Sequence, residues 1–226
     1  MNRPNDLPSS ESMNNETTTG CSSLSRSARE LSRRGDYNGS RKLLERACHL
    51  SPRDAGLRHQ WASVCMRMDD IESARRQWEI VVSIDPLHAA ALAHLGVIAF
   101  REQKLNESAE YLRRSIQIDP TRAGVCYNLG LVYRKQGRLT LAVQAYRQAF
   151  EKDPALVDAG LNLANIYFEQ EKLSLAKRCY EEVLRISPTF VRAKVGLDRV
   201  TKLLRAGAKV HPTPIIKFPR RAVQES

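Results

Sequence analysis

Aromatic residues make up only 6% of the 226 positions, and glycine occupies only 11 of them. All-β sandwiches and barrels need many aromatic strand positions and tight turns, so this composition disfavours both. The longest apolar run, Ala89 to Phe100, is broken by His94 and is shorter than the roughly 20 residues that cross a bilayer. Among the first twenty residues only Met1, Leu7 and Met13 are large and apolar, so the apolar core of a secretory signal is missing and a cytoplasmic location is expected. Five cysteines, Cys21, Cys48, Cys65, Cys126 and Cys179, are widely scattered with no Cys-x-x-Cys pair, which suits reduced thiols rather than a disulfide framework. The five histidines are dispersed in sequence as well. There is no Gly-rich phosphate loop, no Gly-x-Ser-x-Gly, no His-Glu-x-x-His and no zinc-ligand spacing, so no enzyme, metal or cofactor is expected.

The remaining composition is that of an ordinary globular chain, 42% hydrophobic and 27% charged. Its formal net charge of +11 is uneven. Counting Lys and Arg against Asp and Glu, residues 21–54 carry 8 − 4 = +4 and residues 191–226 carry 9 − 2 = +7. A basic surface attracts acidic proteins, nucleic acid or anionic lipid, and charge alone does not choose among them.

A repeat organises the chain. Pro52, Pro86, Pro120, Pro154 and Pro188 follow one another at intervals of 34 residues, each preceded by Ser or Asp. Proline removes a backbone donor and drives the residue before it to extended conformations, so each one ends a helix and redirects the chain. With proline at position 32, the units are 21–54, 55–88, 89–122, 123–156 and 157–190. Position 8 is then Ala28, Ala62, Gly96, Gly130 and Ala164, and position 20 is Ser40, Ala74, Ser108, Ala142 and Ala176. Position 24 is large throughout: Leu44, Trp78, Leu112, Tyr146 and Tyr180. Small residues let helices approach and large ones fill the spaces left, the packing of a helical hairpin. Cys65, Cys126, Trp61 and Trp78 fall on positions that want buried apolar groups, and core packing is their expected role.

This pattern resembles the tetratricopeptide repeat family, whose 34-residue unit is a helix–turn–helix. The fourth unit, with Leu129-Gly130, Tyr133, Ala142, Tyr146, Ala149 and Pro154, carries the resemblance most fully, while Ser27 and Ser115 depart from it. The resemblance implies an all-α, right-handed solenoid of five repeats. After the five units, segment 189–205 repeats the apolar spacing once more through Phe190, Ala193, Leu197, Val200 and Leu204 and is expected to cap the array as a helix. Residues 1–20, rich in Ser, Thr and Asn, are expected to be disordered, and residues 206–226, with three prolines, to form an extended basic tail.

In the family, the first helix of each unit lines a concave groove that holds a segment of a partner protein. Carried over by position, the residues expected there are Arg26, Arg29 and Arg33 in the first unit and His59 and Arg67 in the second. The third contributes Val97, Phe100 and Arg101; the fourth Tyr127, Asn128, Leu131, Arg134 and Lys135; the fifth Leu161, Asn162, Asn165 and Phe168. The first unit is basic and the last three are apolar with interspersed amides, so the expected partner is a peptide with apolar and acidic residues. A known subset of the family grips the terminal carboxylate of chaperones through Lys at position 5 and Asn at position 9 of its first repeat; here those places hold Ser25 and Arg29. The expected function is a non-catalytic interaction adaptor. Two alternatives remain open: nucleic acid or another polyanion on the basic ends, and end-to-end self-association. The basic residues of 191–226 have only Phe218 as an aromatic after Phe190, which leaves a single-strand stacking surface poorly supplied.

Overall fold

The computed structural model describes residues 10–207, with side chains described from residue 20. Among these residues there are eleven helices and no strand. They are α1 (Ser10–Arg33), α2 (Tyr37–Leu50), α3 (Ala55–Arg67), α4 (Ile71–Ile84), α5 (Ala89–Arg101) and α6 (Leu105–Ile118). The series continues with α7 (Ala123–Lys135), α8 (Leu139–Lys152), α9 (Val157–Glu169), α10 (Leu173–Ile186) and α11 (Val191–Arg205). No helix is long and apolar enough to cross a membrane among the described residues. The chain forms two compact units, one up to Ile98 and one from Ala99, with the division inside α5.

Each interval of 34 residues is built from two kinds of turn. The residue before every proline, Ser51, Asp85, Asp119, Asp153 and Ser187, has φ between −137° and −129° and positive ψ, the extended state that a following proline enforces. Its N–H still closes the last helical bond, to the carbonyl four residues back. The three aspartates do more: Oδ1 of Asp85, Asp119 and Asp153 accepts from the N–H of Leu87, Thr121 and Ala155 at 3.0–3.1 Å, an Asx turn that carries the chain into the next unit. Within each unit, the turn between the two helices contains one left-handed residue: Gly35, Asp69, Gln103, Gly137 and Glu171, again 34 apart. The following N–H reaches back five residues at 2.9 Å, from Asp36 to Leu31, Asp70 to Cys65, Lys104 to Ala99, Arg138 to Tyr133 and Lys172 to Tyr167. This is a Schellman closure, and only two of the five units give it the glycine that it favours.

In the first unit, up to Ile98, α1 packs on α2, α2 on α3 and α3 on α4. In the second, α6 packs on α7, the hairpins α7–α8 and α9–α10 pair internally, α8 packs on α9, and α11 lies against α10 and α9. The small residues at position 20 are all fully buried, and the large ones at position 24 are at most 2% exposed. All five cysteines are buried and free, with Cys65 and Cys126 in the core as expected. Helix α1 starts at Ser10, so it runs into the segment expected to be disordered; no proline interrupts the chain between Pro8 and Pro52. The tail expected over 206–226 lies, from residue 208 on, outside the described residues. Helix α11 buries Ala193 and Val200 and turns Val191 and Val195 outward.

Candidate functional site

The second unit brings together residues of α7, α9 and α11 that the repeat places on one face. Tyr127 and Asn128 sit on the first turns of α7, followed by Leu131, Arg134 and Lys135 one and two turns on; α9 presents Asn162, Asn165, Phe168 and Glu169 in the same register. Polar links join the two rows. Asn162 donates through Nδ2 to the Tyr127 hydroxyl at 3.4 Å, and Arg134 donates to Asn162 Oδ1 at 3.5 Å and pairs with Glu169 at 2.5 Å. Asn165 Oδ1 accepts from the Tyr180 hydroxyl at 2.6 Å. Burial pushes the Tyr180 phenol up, so it stays a donor in that bond.

Phe100 and Phe168 are half-buried rather than fully solvent-facing. Each lies under a cation: Lys135 Nζ is 5.3 Å from the Phe100 ring centre, and the Arg199 guanidinium is 5.2 Å from that of Phe168. Such contacts hold the ring and leave part of it available. Beside Phe168, a cavity of about 370 Å3 is bounded by Tyr180, Val195, Gly196 and Arg199. Gly196 is required there, since a Cβ would come within 2.4 Å of the Tyr180 ring. Leu161 differs from expectation: it is 4% exposed and belongs to the core. Its position in α9 faces the packed interior, as Ala93 at the same position of α5 does at 7% exposure.

In the first unit, Arg26, Arg29, Arg33 and Arg67 are exposed. Arg33 and Arg34 both pair with Glu30. Arg29 donates to Gln60 Oε1 at 3.2 Å and to the Ser25 hydroxyl at 3.3 Å, and Arg67 lies 6.0 Å from the centre of the Tyr37 ring. Val97 is half-buried. In the second unit Arg101 is exposed.

His59 belongs to a cluster that linear spacing concealed. Its Nδ1 accepts from the buried Trp78 indole at 3.1 Å. The His88 and His94 rings lie 4.9 Å and 5.8 Å from it, and His94 stacks on Trp78 at 4.3 Å with a 5° interplanar angle. His88 is already used as a cap, its Nδ1 accepting from the Ala91 N–H. Among the described residues no group of three His, Cys, Asp or Glu side chains could hold a metal ion. The available signal was the near-repeat offset: His59 and His94 are 35 residues apart, the separation that also joins Tyr127 to Asn162.

No curated protein matches the sequence. Solved structures match in fold. The PilF protein of Pseudomonas aeruginosa superposes with a TM-score of 0.72 at 17% identity, covering 84% of this chain and 86% of that one. MamA of Desulfovibrio magneticus RS-1 gives 0.69 at 17% identity, over 76% of this chain and 97% of that one. YrrB, described as a TPR protein with an unusual peptide-binding site, gives 0.66 at 17% identity over 77% and 90%. In sequence, residues 60–123 and 158–190 match the tetratricopeptide repeat family, and residues 130–171 match its TPR repeat description. The matched segments carry the same proline register, left-handed turns and small-against-large packing found throughout 21–190, and the chain belongs to the tetratricopeptide repeat family.

Proposed function

We propose that the chain is a non-catalytic adaptor that holds a segment of another protein against the first helices of its repeats. Membership of the family supports a role in protein–protein interaction. The observation that carries the finer reading is the α7–α9–α11 face, where Tyr127 and Leu131 stay partly open and Phe168 does so beside a cavity of about 370 Å3. Helix backbones have already used their own donors and acceptors, so recognition falls to side chains: apolar anchors for affinity, with Asn128, Asn162, Arg134 and Lys135 for orientation. Exposed basic groups in both units favour a segment that combines apolar and acidic residues. Five buried, free cysteines support a reducing compartment.

Phage selection of a random peptide library on the full chain tests this reading. The selected peptides should combine apolar and acidic residues, and Phe168→Ala should weaken the best of them about 5- to 30-fold, the cost of a hot-spot aromatic. Peptides that bind Phe168→Ala and Leu131→Ala as tightly as the parent chain overturn the assignment of this face.

A further inference from the structure

The first unit contains a second, smaller pocket, and its chemistry differs from that of the α7–α9–α11 face. We propose that this pocket, between α1 and α3 with α2 as its floor, receives the carboxylate of an acidic side chain. The inference rests on the adaptor reading for its biological occupant, but the pocket itself can be probed without any partner.

The pocket exists because two repeat positions are underfilled. Position 12 holds Met66, Phe100, Arg134 and Phe168 in the later units but Ser32 in the first; position 9 holds Val97, Leu131 and Asn165 later but Ser63 in the second. With both places reduced to serine, a cavity of about 160 Å3 opens between the helices, walled by Leu44 and Val64. That is room for a glutamate-sized side chain, whose methylenes would lie on the apolar wall.

Its polar groups await an acceptor. Ser40, on the floor, is fully buried, and its hydroxyl has no hydrogen-bond partner among the described residues. A buried hydroxyl left unpaired costs stability, and an incoming carboxylate oxygen would accept from it. Ser63 is spoken for, donating to the His59 carbonyl at 2.8 Å. Arg29 and Arg67 stand at the rim, and neither has a carboxylate partner among the described residues. Arg29 is instead held by two neutral acceptors, Gln60 and Ser25, which orient the guanidinium without cancelling its charge.

Four of the unit's own carboxylates are occupied elsewhere. Glu30 serves Arg33 and Arg34, Asp36 caps α2, Asp54 caps α3, and Asp70 caps α4 while pairing with Arg41. Two oriented arginines, a buried donor and an apolar wall favour a carboxylate on a short aliphatic stem. A phosphate monoester would need more donors around it than this largely apolar cavity supplies.

Titration of the full, 15N-labelled chain with N-acetylglutamate N-methylamide tests the proposal, read at the arginine Nε–Hε and serine amide signals. The expected result is a saturable shift at Arg29, Arg67, Ser32 and Ser40, with little response to the glutamine counterpart of the probe. Ser32→Phe should abolish it by filling the cavity with the residue that Phe100 and Phe168 already place at this position, and Arg67→Gln should weaken it about tenfold. An equal response to the glutamine probe, a response to inorganic phosphate alone, or binding that survives both variants overturns the proposal. Normal binding of the selected peptides at Phe168 alongside any of those results removes the pocket assignment alone and leaves the adaptor reading standing.

Discussion

Replacing Gly130 by alanine tests whether the repeat packs helix against helix as closely as its small-residue positions require. A Cβ built on Gly130 would lie 2.6 Å from both Cδ1 and Cε1 of Tyr146, whereas relaxed carbon contacts sit at about 3.5–4.0 Å. The ring cannot swing aside, because Tyr146 is fully buried. Overpacking of that kind costs about 1–3 kcal/mol, and the helix-propensity gain of alanine over glycine returns up to about 1 kcal/mol. Gly124, in the same helix, supplies the internal control: nothing lies within 4 Å of its hypothetical Cβ, so Gly124→Ala should be neutral or stabilising. The two variants should therefore differ by about 1–3 kcal/mol in urea unfolding followed by circular dichroism. Leucine occupies the Tyr146 position in two other units, as Leu44 and Leu112, so Tyr146→Leu in the Gly130→Ala background should recover much of the loss. That recovery would appear as a coupling energy of about 1 kcal/mol or more in a double-mutant cycle. If Gly130→Ala matches Gly124→Ala, or the coupling is zero, the close approach does not exist and the packing account of position 8 fails.

Two further expectations concern the core. Burial pushes the Cys48 thiol from 9.0 to about 11 and the Cys179 thiol to about 12, so the folded state holds these protons more tightly than the unfolded chain. Stability is complete below pH 9 and falls as pH rises from there toward the folded values, at about 1.4 kcal/mol per pH unit per thiol; a urea midpoint that stays level from pH 8 to 10 contradicts this. Leu161→Ala should cost about 2–4 kcal/mol as a core truncation, with Leu131→Ala costing less than half of that because Leu131 is half-exposed; equal costs would mean that the two leucines have been assigned to the wrong environments.

Local chemistry made much of the repeat legible in advance. A proline every 34 residues acts through its own ring on its own neighbour, and the φ values at Ser51, Asp85, Asp119, Asp153 and Ser187 follow from that steric effect alone. The aspartates before the middle three prolines cap their turns with their own side chains. The inter-helix turns were less visible. A left-handed residue is needed at every position 15, but glycine marks it only at Gly35 and Gly137, while Asp69, Gln103 and Glu171 are forced into it by the Schellman bonds around them.

By itself, then, the sequence determined the helical class, the length of the repeating unit and which positions are small or large, because each of these depends on a residue and its near neighbours. Tertiary structure alone decided how exposed the candidate site residues are. Leu161 is core whereas Leu131 is half-open, although both are leucines assigned to the same surface, because burial depends on what α10 and its neighbours place against each turn. The same holds for the His59, His88 and His94 cluster around Trp78 and for the empty space above Ser40. Both arise where side chains from different helices meet or fail to meet, and such distances follow from packing rather than from spacing along the chain.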